Sequence, residues 1–312
     1  MARVLVTGGA GFIGSNLVSS LVARGDDVVV FDDLSTGSLS NLDDVRDAID
    51  WVHGDIRDYQ ALSKAVAGCD FVFHQAAMAS VALSIENPLE HNDINIGGTL
   101  NVLEASRLAG VKRVVFAASS AAYGDTEVMP IDETQLPNPL SPYGVAKVTG
   151  EQYCRAYHAV YGLETVALRY FNIFGPRQAP GSAYAAVIPL FADCILRGES
   201  PTINGDGLHS RDFCFVDNVV QANLKALVAP NAPGNVYNIA VGVQVTLLDL
   251  IEAINEVLGT DVEPHHGPER TGDIRHSLAD ISAAKRDLGY QATVSFKEGL
   301  AQTLRWYQSQ SN

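Results

Sequence analysis

Residues 8–14 read Gly-Gly-Ala-Gly-Phe-Ile-Gly, lying between a short apolar run, Arg3–Thr7, and an apolar stretch of helical spacing, Phe12–Arg24. No other segment narrows so far what this chain can fold into. A strand that turns through glycine straight into a helix is the opening unit of a parallel sheet. The glycines permit the tight turn and let backbone amides and a helix N-terminus approach a pyrophosphate. Gly9-x-Gly11-x-x-Gly14 matches the dinucleotide fingerprint, and Gly8 adds a Gly-x-x-Gly-x-x-Gly spacing. Eighteen residues beyond Gly14, a second apolar run, Asp27–Asp32, ends in the pair Asp32-Asp33. A carboxylate there accepts bonds from an adenosine ribose diol and repels a 2′-phosphate, which favours NAD over NADP. A glycine turn alone is weak evidence; the ordered strand, turn, helix, strand and acid carry the argument. Asp55-Ile56 ends a third strand where an adenine edge would lie, a position that an ordinary strand-end turn explains equally well.

The alternation continues. Asp50–His53, Phe71–His74, Arg113–Ser119 and Glu164–Phe171 read as strands, with Tyr59–Val66, Pro88–Leu108 and Pro142–Tyr161 at helical spacing between them. This predicts an α/β fold with a doubly wound parallel sheet. After Phe171 the chain becomes turn-rich around one helical stretch, Tyr184–Leu196. A strand-like Phe213–Val216, a helix Asn218–Val228 and a strand Val236–Ile239 are expected to return to the main sheet. Leu247–Leu258, a loop at Pro264–Pro268 and two terminal helices would form a smaller cap. The division expected is 1–172 for cofactor binding, with 212–242 folding back onto it, and 173–312 as a substrate-binding cap. A ligand belongs in the cleft between them.

Composition bears on partners. Among 312 residues, 21 Lys and Arg face 36 Asp and Glu, a net charge of −15 that repels nucleic-acid backbones and anionic lipid. An anionic ligand must therefore be met by locally gathered arginines. No apolar run approaches the ~20 residues of a membrane span, and the opening apolar stretch runs into glycines instead of a cleavage site. Cys69, Cys154, Cys194 and Cys214 form no CxxC pair and read as buried thiols. The adjacent His265-His266 lacks supporting ligand spacing, so no metal is expected. A cytoplasmic location is the expectation.

Tyr143-x-x-x-Lys147 opens the predicted helix that follows Ser141-Pro142, and the i,i+4 spacing puts phenol and ammonium on one face. Ser119 ends a strand at its carboxyl end, where open α/β sheets bind ligands. A phenol of pKa ~10 needs about 4 kcal/mol of preferential phenolate stabilisation to act near neutrality. A lysine one turn away and the cationic ring of NAD⁺ could jointly supply it. The chemistry implied is proton removal from a hydroxyl coupled to hydride transfer.

With these residues in place, the chain resembles the extended short-chain dehydrogenase/reductase family with its Rossmann-type sheet, and within it the UDP-sugar 4-epimerases. GGAGFIG, FDDLSTG, GDIRD, FHQAA, NIGGTLN, ASSAAYG, SPYGVAK, RYFNIFGPRQ, GDGLHSRDF, YNIAVG and ERTGDIRHSLAD carry the likeness along essentially the whole chain. The resemblance implies that Ser119 and Tyr143 handle the proton of the sugar 4-hydroxyl while Lys147 holds the nicotinamide ribose. It implies an NAD site lined by Gly8, Gly11, Phe12, Ile13, Gly14, Asp32, Asp33, Leu34, Ser35, Gly37, Asp55, Ile56, Gln75, Ala76, Ala77, Asn95 and Tyr170. Asn172, Arg211, Arg270 and Asp273 would grip the UDP, with Thr202 to Asn204 near uracil. Ser80, Ser120, Gln178, Val187 and Ser277 would face the sugar. Arg211 precedes Asp212, leaving a surface ion pair open as its role, and Asn172 could equally cap a turn. Met78 reads as packing.

Relatives differ at identifiable places. The family's 4,6-dehydratases place Asp-Glu after the Ser/Thr, where this chain has Ser120-Ala121. The UDP-glucuronate 4-epimerases tend to carry Thr and Arg where Asn172 and Ala179 stand, which ranks that substrate second. Ser277 matches the family's gate for the carbon-2 substituent, and a small residue there leaves room for N-acetyl. The expectation is therefore a UDP-hexose 4-epimerase acting on UDP-GlcNAc/UDP-GalNAc and on UDP-glucose/UDP-galactose. A non-catalytic NAD-binding protein on the same fold is the alternative of another class. The resemblance also implies a homodimer through the Pro88–Leu108 and Pro142–Tyr161 helices.

Overall fold

The computed structural model describes residues 1–179, 186–269 and 274–310. Seven parallel strands form the central sheet: β1 (Arg3–Thr7), β2 (Asp27–Asp32), β3 (Ile49–His53), β4 (Phe71–His74), β5 (Arg113–Ser119), β6 (Glu164–Tyr170) and β7 (Val236–Ile239). Their order across the sheet is β7-β6-β5-β4-β1-β2-β3. The order reverses between β1 and β4, so the loops leaving the carboxyl ends of these two neighbours run apart and open a crevice.

Why these segments are strands is visible in their burial. In β1, Val4 and Val6 pack with Leu17, Val18 and Leu21 of the helix α1 (Phe12–Ala23), while Leu5 between them packs with Leu62 and Val102 on the other face. The period of two splits consecutive apolar residues between two cores. α1 and the later helix Val216–Val228 cover one face; Tyr59–Val66, Thr99–Leu108 and Pro142–Tyr161 cover the other. A third core gathers Phe174, Phe191, Phe213, Phe215, Leu250 and Leu304 from the later segments.

Several expectations need correction. Pro88–Leu108 is not one α-helix but Pro88–Asn92, a π-helical turn Asp93–Gly98 and Thr99–Leu108. At Gly98 a Cβ would lie 2.5 Å from the Ile56 side chain, so the glycine lets the turn press against the loop that follows β3. Cys214–Phe215 pairs with Ile173–Phe174 in a separate two-stranded ladder, not in the main sheet. The bend responsible sits at Asn172, whose φ of 40° turns the chain out of the sheet after β6. The His265-His266 loop is a short strand, His265–Gly267, paired in parallel with Thr202–Asn204. The first of the two terminal helices is a single π turn, Ala284–Leu288. The stretch expected to be helical from Tyr184 is helical over Val187–Leu196, and its first two residues lie outside the described ones.

One buried acid ties the later segments to the sheet. Asp212 is fully buried, and its carboxylate accepts the amides of Val241 and Gly242 at 2.9 Å each and of Ala279 at 3.3 Å. Burial still pushes its pKa up, to about 6. Asp212→Ala would strand three backbone N–H groups away from water, each costing about 1–3 kcal/mol. We expect a loss of at least ~3 kcal/mol, read from the shift in urea midpoint at unchanged m-value.

Candidate active site

A cleft of about 2270 Å³ runs along the carboxyl ends of the strands. At its floor the glycine turn leads into α1, whose N-terminus no side chain caps. Orphan amides of that first turn face the cleft, with Gly11, Phe12, Ile13 and Gly14 all lining it. Gly8 has a φ of 69°, and a Cβ there would meet the Ala76 backbone at 2.5 Å. These positions form a cradle that side chains would fill, and its donor set suits a diphosphate.

Asp32 closes the adjacent end. Its Oδ2 accepts the Ala10 amide at 2.9 Å and its Oδ1 the Leu34 amide at 2.8 Å, which fixes the carboxylate while leaving lone pairs toward the cleft. Burial raises its pKa, and the two amides oppose that. Asp33, Ser35, Asp55 and Ile56 also line this end. Asp55 is paired with Arg57, whose guanidinium lies 2.9 Å away and holds the carboxyl below its usual range.

Ser119 ends β5, and Tyr143 and Lys147 stand on the first two turns of Pro142–Tyr161. That helix begins where it does because Pro142 occupies N1 and the Ser141 hydroxyl accepts the Gly144 amide at 3.1 Å. All three lie in the cleft. Burial pushes the Tyr143 phenol up, and the neighbouring Ser119 hydroxyl pulls it down. Lys147 Nζ donates to the Ala117 carbonyl at 2.7 Å and sits 5.7 Å from the centre of the Tyr143 ring. Burial lowers the ammonium to about 8, with Glu151 acting in the opposite direction.

Gln75, Ala76, Ala77, Ser80, Ser120, Tyr170, Asn172, Gln178, Arg211 and Ser277 complete the expected lining. Tyr170 OH receives the Gln75 amide at 3.2 Å and the Asn223 amide at 2.8 Å, so it orients Gln75. Gln178 Oε1 is buried with no partner among the described residues. Both Asp212 oxygens take backbone amides, which leaves no support for the surface ion pair with Arg211. Asn172 does take the turn conformation, and it lines the cleft as well.

Other expected residues stand behind the wall. Asn95 is buried and does not reach the lining; it bonds Met78 instead. Leu34 serves through its amide, and Gly37 lies against Ala10, where a Cβ would be 2.8 Å from the carbonyl carbon. Val187 packs in the third core. Thr202 and Asn204 are exposed in their ladder and do not line the cleft. Arg270 and Asp273 lie outside the described residues. Sequence reading missed Arg177, which lines the cleft with φ 71° and donates to Ser19 Oγ at 3.0 Å, and the buried His91 and His74. The i,i+4 spacing of His91 and Asn95 was the available signal.

No group of three or more His, Cys, Asp or Glu among the described residues could hold a metal. None of the described helices is long and apolar enough to cross a membrane.

The folded chain binds Lys147's proton less tightly than the unfolded one, whose lysine titrates near ~10.4. Between about 8 and that value the unfolded state holds more protons, so stability rises with pH. Lys147→Met should abolish this rise. Urea unfolding of both proteins at intervals from pH 7 to 11 would read it.

The chain is similar to known proteins along nearly its whole length. A curated UDP-glucose 4-epimerase from Mycolicibacterium smegmatis is 39% identical over 313 residues, covering 99% of each chain. Among solved structures, a UDP-N-acetylglucosamine 4-epimerase from Methanobrevibacter ruminantium, in complex with UDP-N-acetylmuramic acid, superposes with a TM-score of 0.95. It is 41% identical and covers 99% of each chain. A UDP-glucose 4-epimerase from Thermotoga maritima, with UDP-glucose, gives 0.94 at 40% identity over 99% of this chain and 100% of the other. Residues 4–240 match the NAD dependent epimerase/dehydratase family, a span that ends just after β7. The chain belongs to that family.

Proposed function

We propose that this protein is a UDP-hexose 4-epimerase that interconverts UDP-GlcNAc with UDP-GalNAc and UDP-glucose with UDP-galactose through a 4-keto sugar. The observation that carries the reading is one cleft holding Ser119, Tyr143 and Lys147 beside an uncapped helix N-terminus and the acid-ended β2. In this reading residues 1–172, with 212–242, hold the cofactor and 173–312 cap the sugar nucleotide. The amides of Phe12 and Ile13 would receive the NAD pyrophosphate, Asp32 the adenosine ribose and Lys147 the nicotinamide ribose. Bound there, NAD would supply the hydride acceptor and donor that chemistry at sugar carbon-4 requires.

The chain's own residues manage the proton. Tyr143 accepts it from the sugar 4-hydroxyl and gives it back, with the Ser119 hydroxyl bridging phenol and substrate. Burial works against a phenolate, so the Lys147 charge and the Ser119 hydroxyl must offset it. Arg211 and Arg270 meet the charge of the UDP diphosphate, and Asn172 and Asp273 hold the UDP elsewhere. Ser120 and Ala121 offer no carboxylic acid to expel water, which separates this site from dehydration. Ser277 is small where a bulkier side chain would collide with N-acetyl. The active form is a homodimer through the helices around Leu89 and Val160, both exposed here.

The test is the purified protein with UDP-GlcNAc and no added NAD, followed by the anomeric proton signals. Appearance of UDP-GalNAc is expected. Silence on all four sugars, even with NAD⁺ added, would overturn the reading, and turnover of UDP-glucuronate alone would move it to the second-ranked substrate. Tyr143→Phe should lower kcat by at least ~10²-fold with NAD still bound. Ser277→Tyr should lose N-acetyl turnover and keep UDP-glucose; equal turnover of both sugars would refute the gate.

A further inference from the structure

A buried polar chain that the proposed chemistry does not use runs beneath the wall of the cleft. Thr7 Oγ1 lies 2.8 Å from His74 Nδ1, His74 Nε2 lies 3.0 Å from Thr99 Oγ1, and the Thr99 hydroxyl donates to the Asn95 carbonyl at 2.6 Å. The Asn95 side chain continues it, with Nδ2 at 2.6 Å from His91 Nε2. All five residues are buried.

The backbone decides the directions. The Met78 amide donates to Asn95 Oδ1 at 2.8 Å, and Asn95 Nδ2 donates to the Met78 carbonyl at 3.1 Å, so the orientation of the Asn95 amide is settled. Its second N–H then points at His91 Nε2, which has to accept. His91 is therefore neutral, with its proton on Nδ1.

Met78 lies in the middle of the segment 76–80, which lines the cleft between β4 and the helix Val81–Glu86. Asn95 holds that segment by both polar atoms of one residue, and His91 holds Asn95. The His91 ring also packs edge-on against Tyr143, with centroids 6.0 Å apart. We infer that His91 is a positioning residue: as a neutral acceptor it locks Asn95, and through Asn95 it sets the 76–80 wall against the cofactor and sugar.

Protonation inverts this bond. An imidazolium presents N–H to N–H across 2.6 Å, and Asn95 must turn away from Met78. The charges facing His91 oppose that proton under ordinary conditions: the Lys147 ammonium lies opposite on Pro142–Tyr161, beside the Tyr143 phenol. Glu90 and Asp93 on its own segment and Glu86 on the neighbouring helix are exposed. Burial and Lys147 together hold the imidazole below its usual range, and a contact with the Met78 backbone works the other way. The wall is thus released only on the acid side of about pH 6.5, the ordinary histidine value.

This inference rests on the epimerase reading only for its effect on turnover, so the test has two readouts. The first is hydrogen exchange of the Met78 amide in the NAD-bound protein, which needs no substrate. His91→Leu should speed it at least tenfold while the β1 amides stay unchanged, and His91→Gln, whose carbonyl can accept without titrating, should restore it. The second is the pH profile of epimerisation. The wild type should lose activity at acid pH with a rising KM, and His91→Gln should keep its neutral activity and lack that His91-dependent acid fall. Met78 exchange in His91→Leu within twofold of wild type would overturn the inference. So would the same acid fall in His91→Gln as in wild type. If His91→Leu loosens the whole fold, the His91→Gln pH dependence of Met78 exchange decides alone. If Met78 exchange behaves as expected and no UDP-hexose is turned over, the epimerase reading fails and the positioning role of His91 stands.

Discussion

The cleft depends on a contact that contains no side chain. The backbone of Gly8 lies against the backbone of Ala76, so the turn after β1 and the loop after β4 meet where the strand order reverses. Only glycine allows this: its φ of 69° and the closeness of Ala76 exclude a Cβ on two separate grounds. One loop then supplies helix-terminal amides and the other the wall that Asn95 pins, and the positions of Ser119 and Tyr143 are meaningful only relative to that pair. Those side chains are added to a geometry that the main chain has already made.

Much of this was legible because it rests on local rules. The glycine spacing, the Asp32 at the end of a strand and the Ser141-Pro142 start ahead of Tyr143 each specify their surroundings within a few residues. β1, β2 and β5 are legible for the same reason, since a buried parallel strand announces itself as an unbroken Val-rich run. What escaped reading depends on partners far away in the chain. The ladder of Cys214–Phe215 with Ile173–Phe174 needs the backward bend at Asn172, and nothing in two apolar residues says which edge they join. The role of Asn95 shows the same limit. Its residue type fits a cofactor contact, yet its position behind Met78 follows from the π turn at Asp93–Gly98, which glycine content alone does not announce.

Charge is handled in the same economical way. A chain of net charge −15 cannot attract a nucleotide by its overall field. Instead Arg57, Arg177 and Arg211 line the cleft at different places, each fastened nearby: Arg57 on Asp55, Arg177 on Ser19, Arg211 on the Ser210 carbonyl at 2.9 Å. A guanidinium fixed in this way loses little freedom when a ligand binds. Specificity for an anion therefore comes from fixed local donors within an acidic protein.

The placement of β7 has a consequence for how the protein is made. β6 gains its outer neighbour only from residues 236–239, more than sixty positions after its own end. Until that length has left the ribosome, the nascent sheet presents a bare parallel edge, and pairing across such a separation is slow. A chain cut after the first six strands would keep Ser119, Tyr143, Lys147 and the whole glycine turn. It would also carry an open, apolar strand edge inviting contact with another copy. The strand-rich first part of the chain is thus complete in sequence well before it is complete as a fold.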